Sequence, residues 1–305
     1  KFFIKFMKHT LKITIALVLI FFMAQFAGLL IINHYIDHKK TIEAKEIVYK
    51  PLPYNLERPE MKNQSASFIY ITIAVLIGTF LVLLLVKFNK PLIWKLWFFA
   101  TVWLTLSIAL AAFLNNILAA IIALILAILK LYKPDLIIQN LSEIFIYGGL
   151  AAIFVPMLNL FAAFMLLILI SVYDFVAVYK TGHMIKLAEF QSKSKIFAGL
   201  FIPYGKSKVD LEKIPKSDIQ KKPQRVAMLG GGDIGFTLIF AGVVMKGLML
   251  HEPVLTGFLK TLIIPVVASL ALLFLLIKGQ ENKFYPAMPI LSAGCFLGYL
   301  VVLII

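Results

Sequence analysis

Cysteine is almost missing from this chain. Cys295 stands alone in 305 residues, so no intrachain disulfide is available, and its apolar setting says little about compartment. Charge is scarce as well. Asp, Glu, Lys and Arg make up 15% of residues against 61% hydrophobic, less charge than a soluble domain of this size carries. The five histidines are scattered. His251-Glu252 lacks the second histidine of an H-E-x-x-H helix, which disfavours a zinc protease. There is no G-x-S-x-G nucleophile elbow and no G-x-x-x-x-G-K-[ST] phosphate loop. No metal and no cofactor is therefore expected. Strand-length alternation is missing too, which argues against a β-barrel. No internal repeat or low-complexity tract stands out.

What the chain has in abundance is apolar runs near the length of a bilayer crossing. They predict an all-α, polytopic membrane protein. Residues 13–32, 68–86, 226–250, 254–277 and 285–305 each read as one span. Residues 96–129 are too long for one crossing, about 50 Å of helix against a hydrocarbon core of about 30 Å. Asn115-Asn116 is the natural break. Residues 144–179 are similarly long, with a turn offered by 156–159. The expectation is a bundle of nine transmembrane helices. The opening KFFIKFMKHTLK resembles the basic start of a signal peptide, but the apolar stretch after it is long and no A-x-A site follows, so it reads as the approach to a first membrane helix.

Thirty Lys+Arg face fifteen Asp+Glu, a net charge of +15. In a chain this apolar, the excess reads as basic loops that orient helices rather than as a nucleic-acid surface. With the N-terminus cytoplasmic and the C-terminus external, 22 of the 30 basic residues fall on the inner side. The first external loop holds six of the other eight. Spans one to six then occupy 1–181, a lysine-rich cytoplasmic loop 182–225, and spans seven to nine 226–305. Inside the loop, 196–204 (IFAGLFIPY) reads as a short strand or a membrane-surface segment. His183, just past span six, reads as solvated or interfacial. Lys260, early in span eight, is placed to snorkel outward.

Of the fifteen acids, thirteen fall in loops or at span ends on this reading, Glu143 near the inner interface among them. Asp174 and Asp233 lie inside spans. A charge near the centre of a span costs about 2.5–3.5 kcal/mol, so both are functional candidates. Asp174 precedes Lys180 by six residues and Asp233 follows Arg225 by eight. At about 1.5 Å per helical residue both sit roughly 10 Å below the inner boundary, on consecutive antiparallel helices. Two carboxyls that meet there cannot both ionise cheaply, so the pair holds one proton. One member then takes a proton from water while the other polarises a carbonyl. A structural pair, or a cation or proton relay in a transporter or channel, fits the spacing as well.

Three short motifs separate these readings. Tyr173-Asp174 lies in YDFVAVYKTGHM, Gly230-Gly231-Gly232-Asp233 in LGGGDIGF, and Pro286-Ala287-Met288-Pro289 opens the last span. In this order they resemble the YD, GxGD and PAL motifs of the presenilin and signal peptide peptidase family of intramembrane aspartyl proteases, and the whole looks like an archaeal member. The resemblance implies that Asp174 and Asp233 are catalytic and that Pro286, Ala287 and Met288 lie beside the site and engage substrate. It implies that the partners are transmembrane-helix substrates in the lipid bilayer of the cell membrane. Met288 replaces the usual Leu, a mild change of shape, and Gly231 fills the variable position. The residues carry rationales of their own. Gly230 and Gly232 permit close approach to Asp233 or simply pack against a helix. Pro286 and Pro289 either unwind the start of span nine or mark an ordinary helix N-terminus. Tyr173 either hydrogen-bonds near the pair or anchors at an interface.

Overall fold

The computed structural model describes residues 11–59, 61, 63–88, 90–133, 135–181, 198–203, 226–279 and 285–305. Apart from 198–203, the expected inner loop, His183 included, lies outside the described residues.

Helix α1 (Leu11–Tyr35) is followed by the short α2 (His38–Ala44), then α3 (Ser67–Lys87) and α4 (Pro91–Ala111). The long run at 96–129 breaks where expected: α5 (Asn116–Tyr132) starts after Asn115, whose Oδ1 accepts from the Leu118 N–H at 2.9 Å. The second long run breaks likewise. Helix α6 (Leu136–Phe154) runs into a tight turn at Val155–Met157, where Pro156 cannot donate to the helical ladder. Asn159 then caps α7 (Leu160–Val176), accepting from the Ala162 N–H at 2.8 Å.

Beyond α7 the structure departs from the all-α expectation. β1 (Gly199–Pro203) and β2 (Val226–Gly230) form an antiparallel pair with Leu200 opposite Leu229 and Ile202 opposite Ala227. Span seven therefore does not begin at Val226. Residues 226–230 are strand, and α8 starts at Gly231 (Gly231–His251). An apolar run longer than its helix can be extended at one end when a partner strand satisfies its backbone, and residues 199–203 supply that partner.

The next run is also interrupted. α9 (Val254–Thr261) and α10 (Ile263–Lys278) are separated at Leu262. Pro265 has no N–H to offer the Thr261 carbonyl one turn back, which accounts for the break. The last helix, α11 (Met288–Ile304), begins three residues later than expected because 285–287 are not helical. Among the described residues, seven helical stretches are long and apolar enough to cross a membrane, with Val254–Lys278 taken as one. α5 and α11 are apolar but only 17 residues each.

α8 is the most enclosed of these stretches and α3 the least. Between Ile234 and Val244, α8 carries only Thr237 as a polar side chain, as suits a central helix. Gln25 of α1 ties into it, its Nε2 donating to the Ile234 carbonyl (2.9 Å) and to Thr237 Oγ1 (2.8 Å). Phe164 of α7, Phe240 of α8 and Phe296 of α11 meet with centroids 4.8–5.7 Å apart, fastening the three helices that carry the motifs. Lys246 of α8, assigned to an external segment by sequence, is buried, and its Nζ donates to the Val155 carbonyl at 3.0 Å.

Candidate functional site

β2 runs directly into the turn that carries Asp233. Gly230 is extended (φ −65°, ψ 147°) and precedes α8, so Asp233 occupies the first helical turn. A Cβ on Gly230 would lie 3.3 Å from Asp233 Oδ2, tighter than ordinary contact, and the Gly230 N–H donates to that carboxylate. A Cβ on Gly231 would run into the Tyr147 hydroxyl and lie 2.9 Å from its Cζ. One on Gly232 would meet only Phe236, at 3.7 Å. Close approach is thus required at Gly230 and Gly231, whereas exposed Gly232 has space. The sequence offered no reason to rank Gly231 above Gly232, because Tyr147 reaches it from α6.

Asp174 sits in the last turn of α7, just before the backbone widens into a π-helical turn at Ala177–Thr181. Its Oδ2 accepts from the Met288 N–H at 3.1 Å, and the Ala287 N–H donates to the same carboxylate. Both donors stand at the amino end of α11, where Pro286 and Pro289 flank them. The positive end of a helix and its unpaired N–H groups suit a carboxylate. Pro286 is buried, and Met288 is buried in the main core cluster. The Tyr173 hydroxyl donates to Thr79 Oγ1 of α3 at 3.3 Å, tying the YD segment to the least enclosed helix.

The two aspartates, 59 residues apart in sequence, come within electrostatic reach of each other, and both are half-buried. Of the eight residues from Val226 to Asp233, five are strand rather than helix, so helical rise does not set the depth of Asp233. Asp174 stands in the last turn of α7 and Asp233 in the first turn of α8. Among the described residues no group of three or more His, Cys, Asp or Glu is placed to hold a metal ion.

A third acid, Glu143, was expected at a span end; it is the eighth residue of α6 and 1% exposed. Its Oε1 lies 2.6 Å from Nζ of Lys130 on α5 and accepts from Gln139 Nε2 at 3.1 Å; its Oε2 accepts from the Tyr147 hydroxyl. Gln139 also donates to the Gly199 carbonyl (2.9 Å), while Asn140 donates to the Phe201 carbonyl (2.7 Å) and accepts its N–H (2.9 Å). The only sequence signal was Lys130 and Glu143 lying at the ends of consecutive apolar runs.

A family model for signal-peptide peptidase and presenilin aspartyl proteases matches residues 48–305. The chain belongs to this family. No curated protein is significantly similar to it in sequence. Among the solved structures that share its fold are two of a presenilin-family intramembrane aspartate protease, in C222 and P2 space groups. The first is 21% identical with TM-score 0.59, over 95% of this chain and 98% of that one. The second is 20% identical with TM-score 0.57, over 95% and 96%. As a member of the presenilin and signal-peptide peptidase family, the protein is an intramembrane aspartic endopeptidase, and its apolar helices make it a multi-pass membrane protein.

Proposed function

We propose that Asp174 and Asp233 are the catalytic pair and that the enzyme cleaves peptide bonds within or beside the transmembrane segments of other proteins. The observation that carries this is their proximity: an aspartate at the end of α7 and one at the start of α8 come within electrostatic reach, one held by the 286–289 segment and the other by the glycine turn. The pair shares one proton. Asp174, accepting two backbone N–H groups, is suited to carry the negative charge and to take a proton from the attacking water. Asp233, protonated, donates to the scissile carbonyl oxygen. The water oxygen bonds to the carbonyl carbon. The tetrahedral intermediate then loses its C–N bond as the proton held by Asp174 passes to the leaving nitrogen and a hydroxyl proton of the diol returns to Asp233, leaving the carboxylic acid and restoring the singly protonated pair.

In this reading all nine apolar helices cross the cell membrane, with the N-terminus cytoplasmic and the C-terminus external, as the distribution of basic residues supports. A substrate helix must unwind, because a helical carbonyl is hydrogen-bonded and shielded. β2 offers it a template. Phe201 spends both backbone groups on Asn140, so Leu200–Leu229 and Ile202–Ala227 are the pairs that exchange bonds, and Met228 directs its N–H and C=O away from β1. A substrate strand added to that edge runs toward the aspartates.

The test is reconstitution with a single-span substrate. Cut products are expected from the wild type and from neither Asp174→Asn nor Asp233→Asn. Product from either variant refutes the pair, and ion flux without product in any form supports a transporter instead. Joint replacement of Pro286 and Pro289 is expected to abolish cleavage, whereas shortening the distal part of the inner loop is not.

A further inference from the structure

The reaction makes no use of the most polar buried cluster in the described structure, the one around Glu143. Lys130 and Glu143 are 4% and 1% exposed. A buried ion pair is a poor source of stability, since desolvation offsets most of its attraction, and apolar side chains in its place are commonly no worse. The best-attested use of such a pair is to define geometry, and the contacts show which geometry is defined here.

Every strong donor and acceptor in the cluster is committed. Lys130 Nζ donates to Glu143 Oε1 (2.6 Å), Gln139 Oε1 (2.9 Å) and Ser142 Oγ (3.2 Å), using all three of its protons. That leaves Glu143 Oε2 to the Tyr147 hydroxyl. The same hydroxyl lies against Gly231, where a Cβ would collide with it, and within electrostatic reach of Asp233. The cluster also grips the turn from its other side. Gln139 holds the Gly199 carbonyl at 2.9 Å, and the adjacent Ala198 carbonyl accepts the Gly231 N–H at 3.2 Å. Gly231 is thus clamped between a tyrosine fixed from α6 and a strand fixed from α6. Asp233 follows two residues later, and nothing in the chain between them is long enough to absorb a shift.

We propose that Tyr147 and Glu143, with Lys130 as the counter-ion of Glu143, are positioning residues that hold the Gly231 turn and thereby aim the Asp233 carboxyl at Asp174. The inference rests on the catalytic reading of the two aspartates for its effect on rate, but not for its effect on Asp233 itself. The two can therefore be tested apart.

The decisive variant is Tyr147→Phe, which keeps the ring and its packing and removes the hydroxyl. In proteoliposomes with a single-span substrate, kcat is expected to fall about 10- to 100-fold, the scale of a misaligned catalytic group, with KM nearly unchanged. In parallel, infrared difference spectra of protein carrying 13C-labelled aspartate follow the carboxyl bands through a pH titration, with Asp233→Asn identifying the Asp233 band. Tyr147→Phe is expected to move the midpoint of that band, and Glu143→Gln to move it in the same sense. Asp174 on α7 is coupled to Asp233, so its band moves with it, and the bands of the aspartates outside the pair serve as the internal reference. A Tyr147→Phe protein that is less heat-stable but keeps wild-type kcat and an unmoved Asp233 band overturns the proposal. A wild type that cuts nothing, with the band still moved by Tyr147→Phe, overturns the catalytic reading and leaves the positioning role standing.

Discussion

Asn140 is the residue whose removal should most cleanly detach the sheet from the helices. Its carboxamide fills both outward backbone groups of Phe201, donating to the carbonyl at 2.7 Å and accepting the N–H at 2.9 Å. Phe201 is 3% exposed, so Asn140→Ala leaves two buried backbone groups without those partners. A buried group that loses its partner costs about 1–3 kcal/mol. Part of that is recovered if water enters the gap, so about 2–4 kcal/mol of local stability should be lost. The strand stays tethered by Gln139 at Gly199 and by its pairing to β2, so opening rather than global unfolding is expected. At a factor of ten per 1.4 kcal/mol, amides of 200–202 should exchange with solvent about 30- to 700-fold faster. Hydrogen exchange read by mass spectrometry in nanodiscs measures this directly. Asn140→Asp keeps an acceptor for the Phe201 N–H and should fall between. Unchanged protection of the β1 peptide in Asn140→Ala would refute the claim that α6 holds the sheet.

Other perturbations follow from single contacts. Lys130→Met strands the Glu143 carboxylate and should cost about 3–5 kcal/mol in detergent-induced unfolding, most of it recovered by adding Glu143→Leu; no cost for the single variant refutes the ion pair. Gly149→Ala pushes a Cβ into the backbone of Thr105, with the carbonyl carbon at 2.8 Å, and should disrupt α4–α6 packing, whereas Gly78 has nothing within 4 Å and its replacement by Ala should be neutral or stabilising. Thermal inactivation of the two variants side by side checks this. Met228→Pro removes an N–H that points away from β1, so the fold should survive while cleavage drops at least about tenfold if substrate pairs with that edge; full activity would exclude strand addition there.

Much of the architecture was legible along the chain because its rules are local. Apolar run length sets helix existence, and asparagine and proline set the breaks, which is why Asn115 and the 156–159 turn were found where they are. The motifs singled out Asp174 and Asp233, since a carboxylate in an apolar run is conspicuous by itself. Other features were decided between elements. Residues 226–230 are as apolar as the helix they precede, and only the partner strand at 199–203 makes them extended. Glu143 stands just before an apolar run and so reads as a span end; that α6 starts at Leu136 and buries it against Lys130 is set by packing, which no spacing rule identifies. The 286–289 segment was expected beside the site, but the N–H groups of Ala287 and Met288 reach Asp174 only through the packing of α7 against α11. A sequence states which groups are costly to bury; the tertiary fold chooses the partners that make their burial affordable, because those partners lie tens to hundreds of residues away and are joined by shape rather than by order.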